Sequence, residues 1–135
     1  MIISELEIDQ SFIDTINTFR SCTMNIEEAN EIYKSLPSNI KIFMVRDEDK
    51  TIACATLIIE QKFINNGGKV SHIEDVIVDP NYRSKGIGKS LIEHLVKESQ
   101  KEGCYKCILN CNKEVSGFYE KLGFKNSCLQ LRKDL

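Results

Sequence analysis

Apolar positions recur along this chain with two periods, and the changes between them mark out its elements. Ser4–Ile8 alternates and reads as a first strand. Asp9 is placed to cap a helix with Phe12, Ile13, Ile16 and Phe19 at helical spacing. Asn25 is placed to cap a second, carrying Ile26, Ala29, Ile32, Tyr33 and Leu36 and stopped near Pro37. Ile40–Val45 reads as a strand and Arg46–Lys50 as a polar turn. Thr51–Phe63 reads as a long strand, turned at Asn65–Gly68 into a partner strand, Lys69–Val78. Ile87, Leu91, Ile92, Leu95, Val96 and Ser99 give one face to a helix over Ile87–Glu102, ended by Gly103. A strand Cys104–Asn110, a helix Lys113–Leu122 with Asn112 at its cap, and a last strand near Ser127–Arg132 complete the reading. Helices first, then an antiparallel meander, then a strand–helix–strand unit: the order predicts an α/β fold with a mixed sheet.

At 135 residues and 41% hydrophobic, the chain fits a single domain, 1–135, with enough apolar residues for a core. Its 18 Lys and Arg stand against 20 Asp and Glu. That balance offers no overall attraction to nucleic acid or an anionic membrane, so neither is expected as a partner. Glu5, Glu7 and Asp9 at the N-terminus do not read as a signal peptide, and no apolar run approaches the ~18 residues of a membrane span. A cytoplasmic protein is the expectation. Six cysteines include Cys104 and Cys107, spaced as in redox and zinc motifs. Both fall on the strand Cys104–Asn110, where alternation would turn them to opposite faces. No second pair completes a site, so reduced structural thiols and no bound metal are expected.

The chemistry concentrates after Val78. Val76, Ile77 and Val78 form a buried strand end, and Pro80 stops it. Arg83, Ser84, Lys85, Gly86, Ile87, Gly88 and Lys89 then lead directly into the long helix. A strand, a Gly-rich turn and a helix start present several backbone N–H groups to a phosphate. Arg83, Lys85 and Lys89 add charge where the helix dipole already favours an anion. The ligand expected at this turn is a diphosphate. The spacing excludes a P-loop, and Leu91 stands where a dinucleotide fingerprint needs its third glycine.

What remains, Arg83-x-x-Gly86-x-Gly88, resembles the coenzyme A pyrophosphate loop of the GNAT N-acetyltransferase superfamily. A second stretch resembles the other hallmark of that superfamily: Asn112, then Tyr119 seven residues on, then Glu120-Lys121-x-Gly123-Phe124. His72–Val76 and Gly103–Leu109 resemble one branch, the eukaryotic-type glucosamine-6-phosphate N-acetyltransferases. The resemblance runs from about residue 51 to 131. It implies the GNAT fold, in which the strands ending here at Val78 and Asn110 splay apart. It implies acetyl-CoA as cosubstrate, its pantetheine arm bonded to the backbone of Val76 and Val78 like an added strand. It also implies a homodimer and a glucosamine 6-phosphate acceptor.

An acetyl transfer from thioester to amine needs a held geometry, a neutral amine and a stabilised leaving thiolate. Tyr119 is the candidate donor to that thiolate, because a phenol near pKa ~10 stays protonated where a thiol near ~8.5 begins to ionise. Glu74, with Asp75 beside it, precedes the cofactor strand and is placed to hold the substrate ammonium and accept its proton through water. By resemblance Lys62, Tyr105, Lys106 and Asn110 face the sugar phosphate. Asn110 stands where the branch usually has Asp. Asp134 stands where the branch tends to have Arg, and Arg132, two residues earlier, could take over. These departures leave open a GNAT enzyme acting on another small amine or a protein amine. A non-catalytic acyl-CoA-binding domain is the reading from another class.

Overall fold

A computed structural model describes the whole chain, residues 1–135. Five strands form one sheet in the order β1 (Ile2–Glu5), β2 (Ile40–Asp47), β3 (Lys50–Gln61), β4 (Lys69–Val78), β5 (Cys104–Leu109). Neighbours are antiparallel up to β4, and β4 and β5 run parallel. The fold class is mixed α/β, as the periodicity predicts.

Helix α1 (Gln10–Asn17) begins where Asp9 Oδ1 accepts from the Phe12 N–H at 3.0 Å, and α2 (Ile26–Ser35) where Asn25 Oδ1 accepts from Glu28 N–H at 2.9 Å. Two bonds, the first of them buried, anchor α1 on β3. Thr15 Oγ1 donates to the Thr51 carbonyl at 2.8 Å, and the Thr51 N–H donates to Ser11 Oγ at 2.9 Å. On the other face lies α4 (Ile87–Lys101), which buries Ile87, Leu91, Ile92, Leu95 and Ser99. Ile87, Leu91, Ile92 and Leu95 join Phe43, Leu57 and Ile73 of the sheet in the main core. Gly103 ends α4 at φ +77, in the left-handed region.

Four expectations are corrected. The turn before β4 is a single helical turn, α3 (Ile64–Gly67), with Asn65 and Asn66 both left-handed. Residues Lys113–Leu122 split into a 3₁₀ turn (Lys113–Val115) and a short helix α5 (Ser116–Lys121), and Asn112 makes no capping bond. Ser127–Arg132 is not a strand: the tail has no partner, and Leu129 and Leu131 are about nine-tenths exposed. Cys104 and Cys107 both pack against the core instead of parting. The register shows why: Lys69 pairs Cys104 but Val70 pairs Lys106, so Tyr105 is an extra residue that resets the alternation.

The exit from β4 is set by Asp79, which is buried. Its carboxylate accepts from the Asn81 N–H at 2.9 Å and from Lys50 Nζ at 3.3 Å. The Asn81 bond, aided by Lys50 and opposed by burial, holds its pKa below the usual carboxylate range. A depressed folded pKa gives stability that is present above the unfolded value of ~3.9 and is lost as pH falls through the folded one. Asp79→Ala is expected to cost about 1 kcal/mol at pH 7. The gap to wild type should shrink as the pH is lowered below ~4. Urea unfolding at pH 7 and at pH 3 checks this; a gap of unchanged size would assign the effect to packing.

Candidate active site

The sheet opens between β4 and β5. Their ladder ends at Ile73 and Leu109, while β4 continues to Val78 beside β3 alone. Just past that point β4 bulges. Thr56 pairs Glu74 but Cys54 pairs Ile77, so β4 has one residue more than β3 there. Asp75 in the bulge has φ +50, a strained value for a residue with a Cβ. Val76 and Val78 thus line an open strand edge whose direction is broken at one point. Such an edge accepts an extended ligand as an added strand. The split was legible from the resemblance; the bulge was not, because nothing in the Glu74–Val76 pattern marks a left-handed residue.

The opening leads to the start of α4. Gly86 caps that helix at φ +77, with no side chain bonded to its first turn. Ser84 is also left-handed, at φ +64. Successive N–H groups in such a turn form an anion-binding concavity. Arg83, Lys85 and Lys89 stand in this segment, and none of them is in an ion pair. Lys85 Nζ lies 5.2 Å from the centre of the Tyr82 ring, which steadies it beside the loop. Unpaired cations, free helix N–H groups and an open face at Gly86 suit a diphosphate.

Helix α5 closes the other side. A Cβ on Gly88 would come within 3.4 Å of Phe118 Cζ and 3.8 Å of Val78 Cγ2. Gly88 is therefore the point where β4, α4 and α5 approach one another. Tyr119, next to Phe118, packs edge-on against Phe118 and Phe124 with ring centres 5.0 and 6.0 Å apart. Burial first, then the nearby Cys111, raises the Tyr119 pKa. Its phenol therefore stays in the neutral form at neutral pH. The structure thus gathers Val78, Gly88 and Phe118, with Tyr119 packed against Phe118, and places Asn112 between β5 and the 3₁₀ turn that leads to α5.

The face of the sheet opposite α4 carries the remaining residues. Register places Glu60, Val70 and Lys106 in one row and Ile58, His72 and Ile108 in the next. Thr56 and Glu74 follow in a third row, and Asn110 continues the alternation of Lys106 and Ile108 just past the end of β5. Glu74 is half-buried and Asp75 exposed. Glu60 Oε1 binds His72 Nε2 at 2.9 Å and Lys62 Nζ at 3.2 Å, contacts that sequence spacing did not suggest. These bonds, His72 first, lower the Glu60 pKa. Arg132 is on the exposed tail, bonded to its neighbour Asp134 at 2.6 Å, and is not brought to the site. Tyr105 bulges from β5 against Gly68. Of the three cations expected to face a phosphate, Lys106 is the one without a carboxylate partner.

Residues 7–124 match the acetyltransferase (GNAT) family. A glucosamine 6-phosphate N-acetyltransferase of Trypanosoma brucei brucei is 45% identical over 95 residues, 70% of this chain and 65% of that protein. Glucosamine 6-phosphate N-acetyltransferase 1 of Dictyostelium discoideum is 42% identical over 107 residues, 78% of this chain and 68% of that protein. The chain thus spans about two thirds of the length of these curated relatives. The crystal structure of glucosamine-6-phosphate N-acetyltransferase from Arabidopsis thaliana superimposes with a TM-score of 0.92 at 34% identity, covering 98% of this chain and 97% of the other. The chain belongs to the acetyltransferase (GNAT) family.

Proposed function

We propose that the protein transfers the acetyl group of acetyl-CoA to the amine of glucosamine 6-phosphate, giving N-acetylglucosamine 6-phosphate for amino-sugar metabolism. One observation carries the reading: the β4–β5 split runs into an unpaired basic helix start, where Phe118 approaches Gly88 and Tyr119 packs edge-on against Phe118. The pyrophosphate lies on the Ser84–Lys89 turn, and the pantetheine arm along Val76, Ile77 and Val78. The substrate amine lies at Glu74, which orients it and takes its proton through water. The amine attacks the carbonyl carbon, the C–S bond breaks, and Tyr119 donates a hydrogen bond to the departing sulfur.

Two findings support a phosphorylated sugar as acceptor. Relatives on both sides of the comparison carry that name. Lys106 also lies on the same sheet face as His72, one row along and one strand over, about 8 Å away, with Lys62 held to Glu60 beside His72. A cytoplasmic setting suits the six free thiols, which stay reduced there. Release of free CoA thiol, followed with a panel of amines, tests the assignment. Glucosamine 6-phosphate is expected to be the best acceptor and unphosphorylated glucosamine a poor one. Equal rates for the two would replace the sugar phosphate by another small amine or a protein amine, a reading that Asn110 and the Arg132–Asp134 pair favour. Binding of acetyl-CoA with no thiol release from any amine would leave a non-catalytic domain.

The working form we propose is a homodimer. β5 ends the sheet with an unpaired outer edge, Ile108 is exposed on it, and the tail presents Leu129 and Leu131 to solvent. An open edge and an alternating apolar segment without a partner suit each other across two copies. Sedimentation is expected to give a dimer, and deletion of residues 125–135 a monomer. A monomeric full-length chain with full activity would contradict this.

A further inference from the structure

We propose that the apolar recess between α1, α2 and the sheet is an acyl-chain pocket, so that the protein accepts acyl-CoA donors longer than acetyl-CoA. The inference rests on the acetyl-CoA reading above. The recess has a volume of about 320 Å³, and 13 of its 15 lining residues are hydrophobic. Its walls include Ile13 and Phe12 of α1 and Ala29 of α2. Cys54 and Thr56 of β3 and Asp75 of β4 line its sheet side.

Those three residues fix the location. Cys54 and Thr56 are the β3 residues on either side of the register break, and Asp75 is in the β4 bulge itself. The recess therefore starts at the bulge, beside Val76, where the thioester end of the pantetheine arm is placed. A substituent on the acyl carbon extends from that point into the recess. Away from Thr56 and Asp75 the lining is apolar but for the Tyr33 hydroxyl, so the hydroxyls and phosphate of the sugar acceptor would find few polar partners deeper in the recess. Burial first, then the Asp75 carboxylate, pushes the Cys54 thiol up to about 12, so the thiol itself stays neutral beside the recess. An engineered apolar cavity of about 150 Å³ holds a benzene molecule. About twice that volume holds a chain of several carbons.

The chemistry is that of the acetyl transfer. The amine nitrogen forms a bond to the acyl carbon, the C–S bond breaks, and CoA leaves as a thiolate. The amine gives up one proton, which balances the charge on the thiolate. The product is an N-acyl amine with a longer chain.

Calorimetry with acetyl-, butyryl- and hexanoyl-CoA on the full-length protein tests the pocket. A fully buried methylene is worth about fourfold in affinity. The recess is open on one side, so hexanoyl-CoA is expected to bind about tenfold more tightly than acetyl-CoA. Thiol release with glucosamine 6-phosphate should persist with the longer donors. Ala29→Phe fills the recess from α2 and should remove the hexanoyl advantage while acetyl-CoA binds as before. Should that variant fail to fold, Ala29→Val gives the smaller loss and the wild-type series decides alone. Normal acetyl-CoA binding with equal or falling affinity as the chain lengthens would overturn the pocket and leave the acetyl-CoA reading intact. No binding of any acyl-CoA would overturn both.

Discussion

Tyr119→Phe is expected to lower turnover by about 10²–10³ while acetyl-CoA affinity changes little. The hydroxyl is the only atom removed, and the ring remains between Phe118 and Phe124. Packing is therefore preserved, and the variant isolates the hydrogen bond. The bond matters most when negative charge forms on sulfur, because a donor fixed in a dry site stabilises developing charge better than it does a neutral thioester. Burial keeps this phenol protonated well above neutral pH. Outright proton transfer to a thiolate is then uphill by more than the ~2 kcal/mol separating reference phenol and thiol. On this reading Tyr119 is expected to donate a hydrogen bond rather than a proton. Steady-state kinetics with a separate affinity measurement check this; turnover within threefold of wild type would reassign Tyr119 to packing.

The parts of this fold that could be read from the sequence are those in which one element carries its own signal. Helix α4 is the clearest: Ile87, Leu91, Ile92 and Leu95 mark its face, and Gly103 its end. Asp9 and Asn25 announced α1 and α2 because capping is local chemistry. Elements whose form depends on a neighbour could not be read in this way. Leu129 and Leu131 alternate like strand residues, yet a strand exists only when another supplies the ladder, and nothing in one copy does so. Alternation likewise misassigned Cys104 and Cys107, since a single bulged residue, Tyr105, inverts every face after it.

The site shows the same division. The Gly86-x-Gly88 turn was legible because glycine reports a backbone need directly. The bulge at Asp75 and the left-handed Ser84 were hidden, because residues with a Cβ are used where glycine would be the easy choice. Both lie on the path assigned to the cosubstrate, and strained backbone of this kind persists where the surrounding structure holds it. The Glu60–Lys62–His72 cluster was hidden for another reason. It joins β3 to β4 across the sheet, and only the register brings His72 to Glu60.

Gly86→Val is expected to weaken acetyl-CoA binding by about 10²–10⁴ in a protein that still folds. A Cβ at this position meets no atom within 4 Å, so no clash inside the protein opposes the change. The difficulty is the backbone: φ is +77, and a β-branched residue resists that value. Holding it there costs about 1–3 kcal/mol, which the turn can relieve by rotating. Rotation turns the N–H groups of Ile87 and Gly88 away from the concavity. Each charged hydrogen bond lost is worth about 1.5–3 kcal/mol, and two such bonds give the stated range. The new side chain also stands in the open space where the diphosphate would lie. The core beneath α4, built from Leu91, Ile92 and Leu95, is untouched, so circular dichroism and thermal unfolding should show a native fold. Calorimetry with acetyl-CoA supplies the decisive number. Unchanged affinity in a folded Gly86→Val protein would remove the Ser84–Lys89 turn from the cosubstrate site.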